Sequence, residues 1–329
     1  MSGDVHLLSV HGLRTAYRSE LRDIVALEDI SFDLRRGEAL GLVGESGCGK
    51  STLALTLMRL IRKPGEVLAG EIRFDGIDLL TLKEAELRRL RGRDIAIVFQ
   101  DPASALNPLV RVGTQIIEIQ RAHRDITRAE AFRHSVKLLQ ALGVPDADSR
   151  MKEYPHQLSG GMKQRLCIAI ALSCDPRLLI ADEPTTALDV TVQAQLLALL
   201  SRERASRNLS MLVISHDLGV VARLADRVAI LYAGRIVEQG PARNVLCTPS
   251  HPYTRLLLQS RPRIDQPRAE AFVAIPGSPP QGAPQGAGCA FAPRCPSADA
   301  RCEALRPPVF AVGLRHEASC WRVAAAAQA

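Results

Sequence analysis

The run Gly44-Glu45-Ser46-Gly47-Cys48-Gly49-Lys50-Ser51 constrains this chain more than any other stretch. The short apolar segment Ala39-Leu40-Gly41-Leu42-Val43 precedes it, and the helix-forming sequence STLALTLMRL follows from Ser51. A strand, a glycine-rich turn and a helix N-terminus in succession make a cradle for phosphate. The glycines let backbone N–H groups close around the anion, and the helix dipole favours negative charge. Lys50 is then placed to reach β- and γ-phosphates, and the Ser51 hydroxyl to ligate Mg²⁺. Cys48, beside a lysine and a helix N-terminus, is expected to have a lowered pKa.

Other strands have the same character. Asp94 to Phe99, Leu178 to Ala181 and Met211 to Ile214 are continuous apolar runs rather than alternating ones. Such runs suit strands buried on both faces of a parallel sheet. Ligands of open α/β sheets bind beyond the carboxyl ends of the strands, and chemistry-bearing residues stand at those ends here. Asp182-Glu183 follows one strand: Asp182 can hold Mg²⁺, and Glu183 can polarise a water as a general base, worth roughly 10²–10⁴ in rate. The same pair could simply cap the next helix. Leu158-Ser159-Gly160-Gly161-Met162 offers a hydroxyl, glycine amides and a helix start to a γ-phosphate, or an ordinary N-cap.

Composition narrows the class. Of 329 residues 47% are apolar and 23% charged, which supports a core and excludes global disorder. No apolar run approaches the roughly 20 residues that cross a bilayer. The N-terminus lacks a basic segment followed by an apolar one, so a secretory leader is not expected and the protein should be cytosolic unless a partner holds it at a membrane. Net charge is +7, compatible with phosphates, nucleic acid or an anionic membrane face. Aromatics are only 4%, which argues against single-strand binding by base stacking.

The ordered set GESGCGKST, Gln100, LSGGM, LLIADEP, Ala187-Leu188-Asp189 and Ser215-His216 resembles the ATP-binding subunit of an ABC transporter over roughly residues 1 to 240. The resemblance implies an α/β fold: a P-loop NTPase (RecA-like) core with an antiparallel β subdomain and a helical insert, plus a loop-rich C-terminal extension. It implies a nucleotide-binding domain over 1–245, with its core in 1–100 and 164–245 and the insert at 101–163, and an extension over 246–329. It implies an ATPase in which two subunits sandwich ATP, the phosphate loop of one (Gly44 to Thr52) facing Ser159, Gly160 and Gly161 of the other. Tyr17 would stack on adenine. Ser51, Gln100 and Asp182 would serve Mg²⁺, Glu183 would act as base, His216 would contact the γ-phosphate, and Asp189 would cross the dimer. Asp101 to Pro108 would help receive the membrane subunits.

Residues 261 to 310 hold ten of the 20 prolines, a density that forbids long helices and central strands. The tail should therefore be held by something other than regular ladders. Cys289, Cys295, Cys302 and Cys320 fall within it. Four thiolates suit zinc or an iron–sulfur cluster, and the spacing is not that of a zinc ribbon. The stretch from Pro241 to Pro262 with His251-Pro252-Tyr253-Thr254, together with DPASALNP and PTTALDVTVQAQ, is similar to oligopeptide and dipeptide permease ATPases. That likeness implies a 4Fe–4S cluster on the four cysteines, with zinc, free thiols or a disulfide as alternatives. Cys167 and Cys174 read as core.

The resemblance further implies peptide import, with a second and related ATPase chain, two transmembrane permease subunits and an extracytoplasmic substrate-binding protein. The chain would lie peripherally on the cytoplasmic face of the inner membrane, with no nucleic acid as partner. A DNA-repair or chromosome-maintenance ATPase of the same family is the alternative. Such proteins resemble cassettes interrupted by coiled coils or zinc inserts, which this sequence lacks. Translation ATPases resemble two cassettes in one chain, whereas one phosphate loop is present.

Overall fold

The computed structural model describes residues 6–20, 23–186, 188–260, 274–284 and 286–326, the side chains of 324–326 excepted. The chain forms two compact units, each assembled from separated stretches. One comprises Met1–Leu7, Leu34–Ala39 and Thr81–Ile214; the other Leu8–Asp33, Leu40–Leu80 and Ser215–Ala329.

In the first unit, strand Leu178–Asp182 lies between Ile95–Val98 and Ser210–Ser215, all parallel. Ile95 stands opposite Leu178, and Asp182 opposite Ile214. Every residue of the strands Leu178–Asp182 and Ser210–Ser215 is buried, as their unbroken apolar pattern requires. Between the first two strands the chain is helical: Pro102–Ala105, Val112–His123, Arg128–Ala141, Ala147–Arg150 and Gly160–Leu172. Thr127 and Glu130 start the third of these with reciprocal side-chain bonds to each other's backbone N–H. Helix Val190–Arg207 closes the unit and ends at Asn208, whose left-handed φ of 50° terminates the turn. Cys167 and Cys174 are buried here as expected.

The second unit holds an antiparallel sheet in which His6–Tyr17 lies between Ile24–Arg35 and Gly65–Phe74. It also pairs Ala39–Val43 in parallel with Arg227–Tyr232. Arg235–Pro241 continues antiparallel from the latter, followed by His316–Ala318 and Phe310–Gly313. The tail is loop-rich as expected, but it does join a ladder: Glu238 pairs with Ala318 and Gln239 with Glu317. This corrects the expectation that regular pairing could not hold it. The prolines confine strands to three or four residues without forbidding them at a sheet edge. Nor does the tail need a core of its own. Tyr253 and Phe291 pack in one buried cluster with Val43, Leu218, Val221, Val228, Ile230 and Tyr232.

Candidate nucleotide site

In the second unit the buried strand Ala39–Val43 runs into the glycine loop, and helix Lys50–Leu57 leaves it. Gly47 and Gly49 have φ of +79° and +110°, which L side chains rarely adopt. A Cβ on Gly44 would lie 2.1 Å from the Leu231 carbonyl oxygen, so the loop passes too close to backbone for any other residue. Lys50 is buried, and its Nζ donates to the carbonyls of Gly44 (2.8 Å) and Glu45 (3.0 Å), stapling the loop from inside. Ser46, Gly47 and Ser51 are exposed along the loop and at the helix start. The Tyr17 hydroxyl lies 3.4 Å from Thr52 Oγ1 at the end of the first strand. His216 is exposed just after Ser215, whose hydroxyl accepts the Asp217 N–H at 2.9 Å.

Cys48 departs from expectation. Its sulfur is 3.8 Å from Lys50 Nζ, yet its pKa is raised, because burial against the charged form outweighs the ammonium.

The first unit assembles the acidic part. Asp182 is buried at the strand end. Glu183 follows with a left-handed φ of 48°, and its N–H donates to the Ile214 carbonyl at 2.8 Å. Its carboxylate accepts from Gln100 Nε2 at 3.0 Å and from Thr186 Oγ1 at 2.9 Å. Gln100 and Glu183 are thus brought together. Thr186 was missed by sequence reasoning, although a hydroxyl three residues after a strand-end glutamate is a readable signal. Ser159 and Asp189 are helix N-caps: Ser159 Oγ accepts from Met162 N–H at 3.4 Å and Asp189 Oδ1 from Val192 N–H at 2.9 Å. Both are exposed, as is Gly160, and Gly161 follows in the first helical turn. Ala187 lies outside the described residues.

The four tail cysteines come near one another. Cys289 feels Cys302 and Cys320, Cys295 feels Cys302, and Cys320 feels Cys295 and Cys302. Burial, reinforced by these neighbours, raises the pKa of Cys289, Cys295 and Cys320. Among the described residues, however, no group of three or more His, Cys, Asp or Glu side chains is placed to hold a metal ion. The expected cluster on Cys289, Cys295, Cys302 and Cys320 therefore gains no support from the geometry. The thiols are gathered at electrostatic range, and the segment is already held by strand pairing and by Phe291. Cys247 is exposed. No helix among the described residues is long and apolar enough to cross a membrane.

Comparison with known proteins gives the family. The ABC transporter family model matches residues 27–186, and that of the oligopeptide/dipeptide transporter C-terminal region matches residues 237–302. A putative peptide import ATP-binding protein of Brucella melitensis is 48% identical over 327 residues, 96% of this chain and 97% of the relative. The oligopeptide transport ATP-binding protein OppD of Salmonella typhimurium is 47% identical over 316 residues, covering 96% and 93%. A dimeric ATP-binding cassette solved after hydrolysis, with ADP and Pi bound, superposes with a TM-score of 0.66 at 26% identity, covering 72% of this chain and 99% of that one. The chain belongs to the ATP-binding family of ABC transporters, in the branch that carries the oligopeptide/dipeptide C-terminal region, and it is an ATPase.

Proposed function

We propose that this chain is the ATP-hydrolysing subunit of a peptide importer. The observation that carries the reading is the presence of both family regions in one chain, together with 47–48% identity to relatives named for peptide import and oligopeptide transport. It works with a second, related ATPase chain, two transmembrane permease subunits and an extracytoplasmic substrate-binding protein, peripherally on the cytoplasmic face of the inner membrane. Residues 1–245, with the insert 101–163, carry the nucleotide chemistry, and 246–329 form the extension.

In this reading the loop from Gly44 to Thr52 receives the triphosphate. The Lys50 ammonium leaves the loop carbonyls for β- and γ-phosphate oxygens, and Tyr17 meets the adenine. A magnesium ion bound there would supply neutralisation of charge on the phosphates. It needs only one or two protein oxygens besides theirs, and Ser51, Gln100 and Asp182 are donors of that type. Glu183 orients and deprotonates the attacking water, with Gln100 and Thr186 fixing its carboxylate. His216 contacts the γ-phosphate. Ser159, Gly160 and Gly161 of one subunit, with Asp189, complete the site of the other.

Glu183→Gln should leave ATP binding intact and lower turnover roughly 10²–10⁴-fold, measured by nucleotide titration and phosphate release. Near-normal hydrolysis would remove the base assignment. Peptide import is tested by uptake of labelled peptide into proteoliposomes holding the whole complex. The finer reading of the tail, a 4Fe–4S cluster, rests on the gathered soft thiols alone. Anaerobically purified protein without iron would end it.

A further inference from the structure

Glu45, the second residue of the phosphate loop, is held by residues distant in sequence. Its N–H donates to the Tyr253 hydroxyl at 3.1 Å. Its carboxylate is forked by Arg294, Nη1 at 2.7 Å and Nη2 at 3.0 Å. Its carbonyl accepts from Lys50. Arg294 is itself fixed: Nε donates to the Pro276 carbonyl at 2.6 Å and Nη1 to the Tyr232 hydroxyl at 3.4 Å. Its guanidinium carbon lies 5.8 Å from the Tyr232 ring centre. The side chain is only 6% exposed.

We propose that Arg294 is a positioning residue for nucleotide: by forking Glu45 it holds the phosphate loop in its binding shape, so the C-terminal tail sets ATP affinity. The inference rests on Gly44–Ser51 being the phosphate loop. A two-point fork fixes the plane of a carboxylate as well as its distance. With the Tyr253 bond on Glu45's own backbone N–H, it leaves Glu45 little freedom to rotate. Turning Glu45 would swing the carbonyl that seats Lys50 and re-aim the amides that must face phosphate, and small misplacements of such groups are expensive. Arg294 ends the short turn Ala292–Arg294, directly before Cys295, and the Cys289 N–H donates to the Cys302 carbonyl at 2.7 Å. A change in the shape of the thiol segment therefore reaches Glu45 through one side chain.

The test uses the full-length chain, with nucleotide titration, ATPase kinetics and thermal unfolding without nucleotide. Arg294→Met should raise Kd and KM for ATP about tenfold while kcat falls by less than about threefold. Arg294→Lys, which keeps charge but not the fork, should recover part of the affinity. In a Glu45→Ala background, Arg294→Met should add little, because both changes remove one interaction. Unchanged Kd and KM with a lowered unfolding temperature, in either Arg294 variant, would show that Arg294 only anchors the tail and would overturn the proposal. Full additivity with Glu45→Ala would do the same. Lys50→Ala is the separate check: if ATP binding survives it, the reading of the loop itself is wrong.

Discussion

At Cys48 two effects oppose each other across a few ångströms. The Lys50 ammonium favours a thiolate, while burial disfavours any charge, and burial wins. Native full-length protein treated with iodoacetamide should therefore alkylate the exposed Cys247 first. Cys48 should follow at least about tenfold more slowly, as peptide mass spectrometry would reveal. Early labelling of Cys48 would mean that the loop opens readily. This residue also marks a boundary of what sequence shows. Neighbours along the chain announced Lys50 and the helix start, whereas the Leu231 carbonyl that crowds Gly44 belongs to a strand nearly two hundred positions away. The proposed roles of Lys50, Asp182 and Glu183 were legible because residue type and spacing are local signals. Arg294 was not, since its partner Glu45 lies 249 residues earlier and nothing local ties them.

At the scale of one helix, His251 shows how a cap becomes a titration. Its Nδ1 accepts the Tyr253 N–H at 3.0 Å at the start of Pro252–Gln259, and its ring hydrogen bonds to the Ser319 backbone. The residue is 2% exposed and its ring sits 6.0 Å from that of Phe291, with Glu238 accepting the His251 backbone N–H. Burial lowers its pKa from 6.5 to about 4. The unfolded chain binds a proton near pH 6.5 that the folded chain refuses until about 4. The stabilising contribution is whole above the upper value and is lost as pH falls between the two, amounting to about 3 kcal/mol. Urea unfolding at about pH 7.5 and pH 4.5 should show that loss, and His251→Asn, which can cap without titrating, should remove this part of it. An identical pH dependence in the variant would contradict the assignment. The elements themselves were largely readable: the runs at 39–43, 94–99, 178–181 and 211–214 are strands within a residue or so. The edge strand His316–Ala318 was hidden, because a three-residue pairing inside a proline-rich segment has no period to detect.

At the scale of the molecule, the C-terminal segment and the glycine-rich loop share one unit. A chain ending at residue 245 would lose Tyr253 and Phe291 from the cluster that buries Val43, Ile230 and Tyr232. It would also lose His316, whose Nε2 lies 2.8 Å from the buried Glu238 carboxylate. Removing two buried aromatics at about 3–5 kcal/mol each rivals the whole stability of a typical domain. The truncated protein should be insoluble or melt without a cooperative transition, as soluble yield and calorimetry would show. A well-behaved fragment would mean that the tail is an appendage. The sequence suggested two successive regions, because proline density and motif order are both linear signals. It could not show that strands from the first residues and from the last would close the same unit.

That interleaving has a consequence for synthesis. A ribosome delivers strand His6–Tyr17 some three hundred residues before strand His316–Ala318. The glycine-rich turn thus leaves the exit tunnel long before its final neighbours are translated. Nascent chains must keep Ala39–Val43 sheltered in the meantime, and a premature stop before the buried Cys320 yields a product lacking part of its interior.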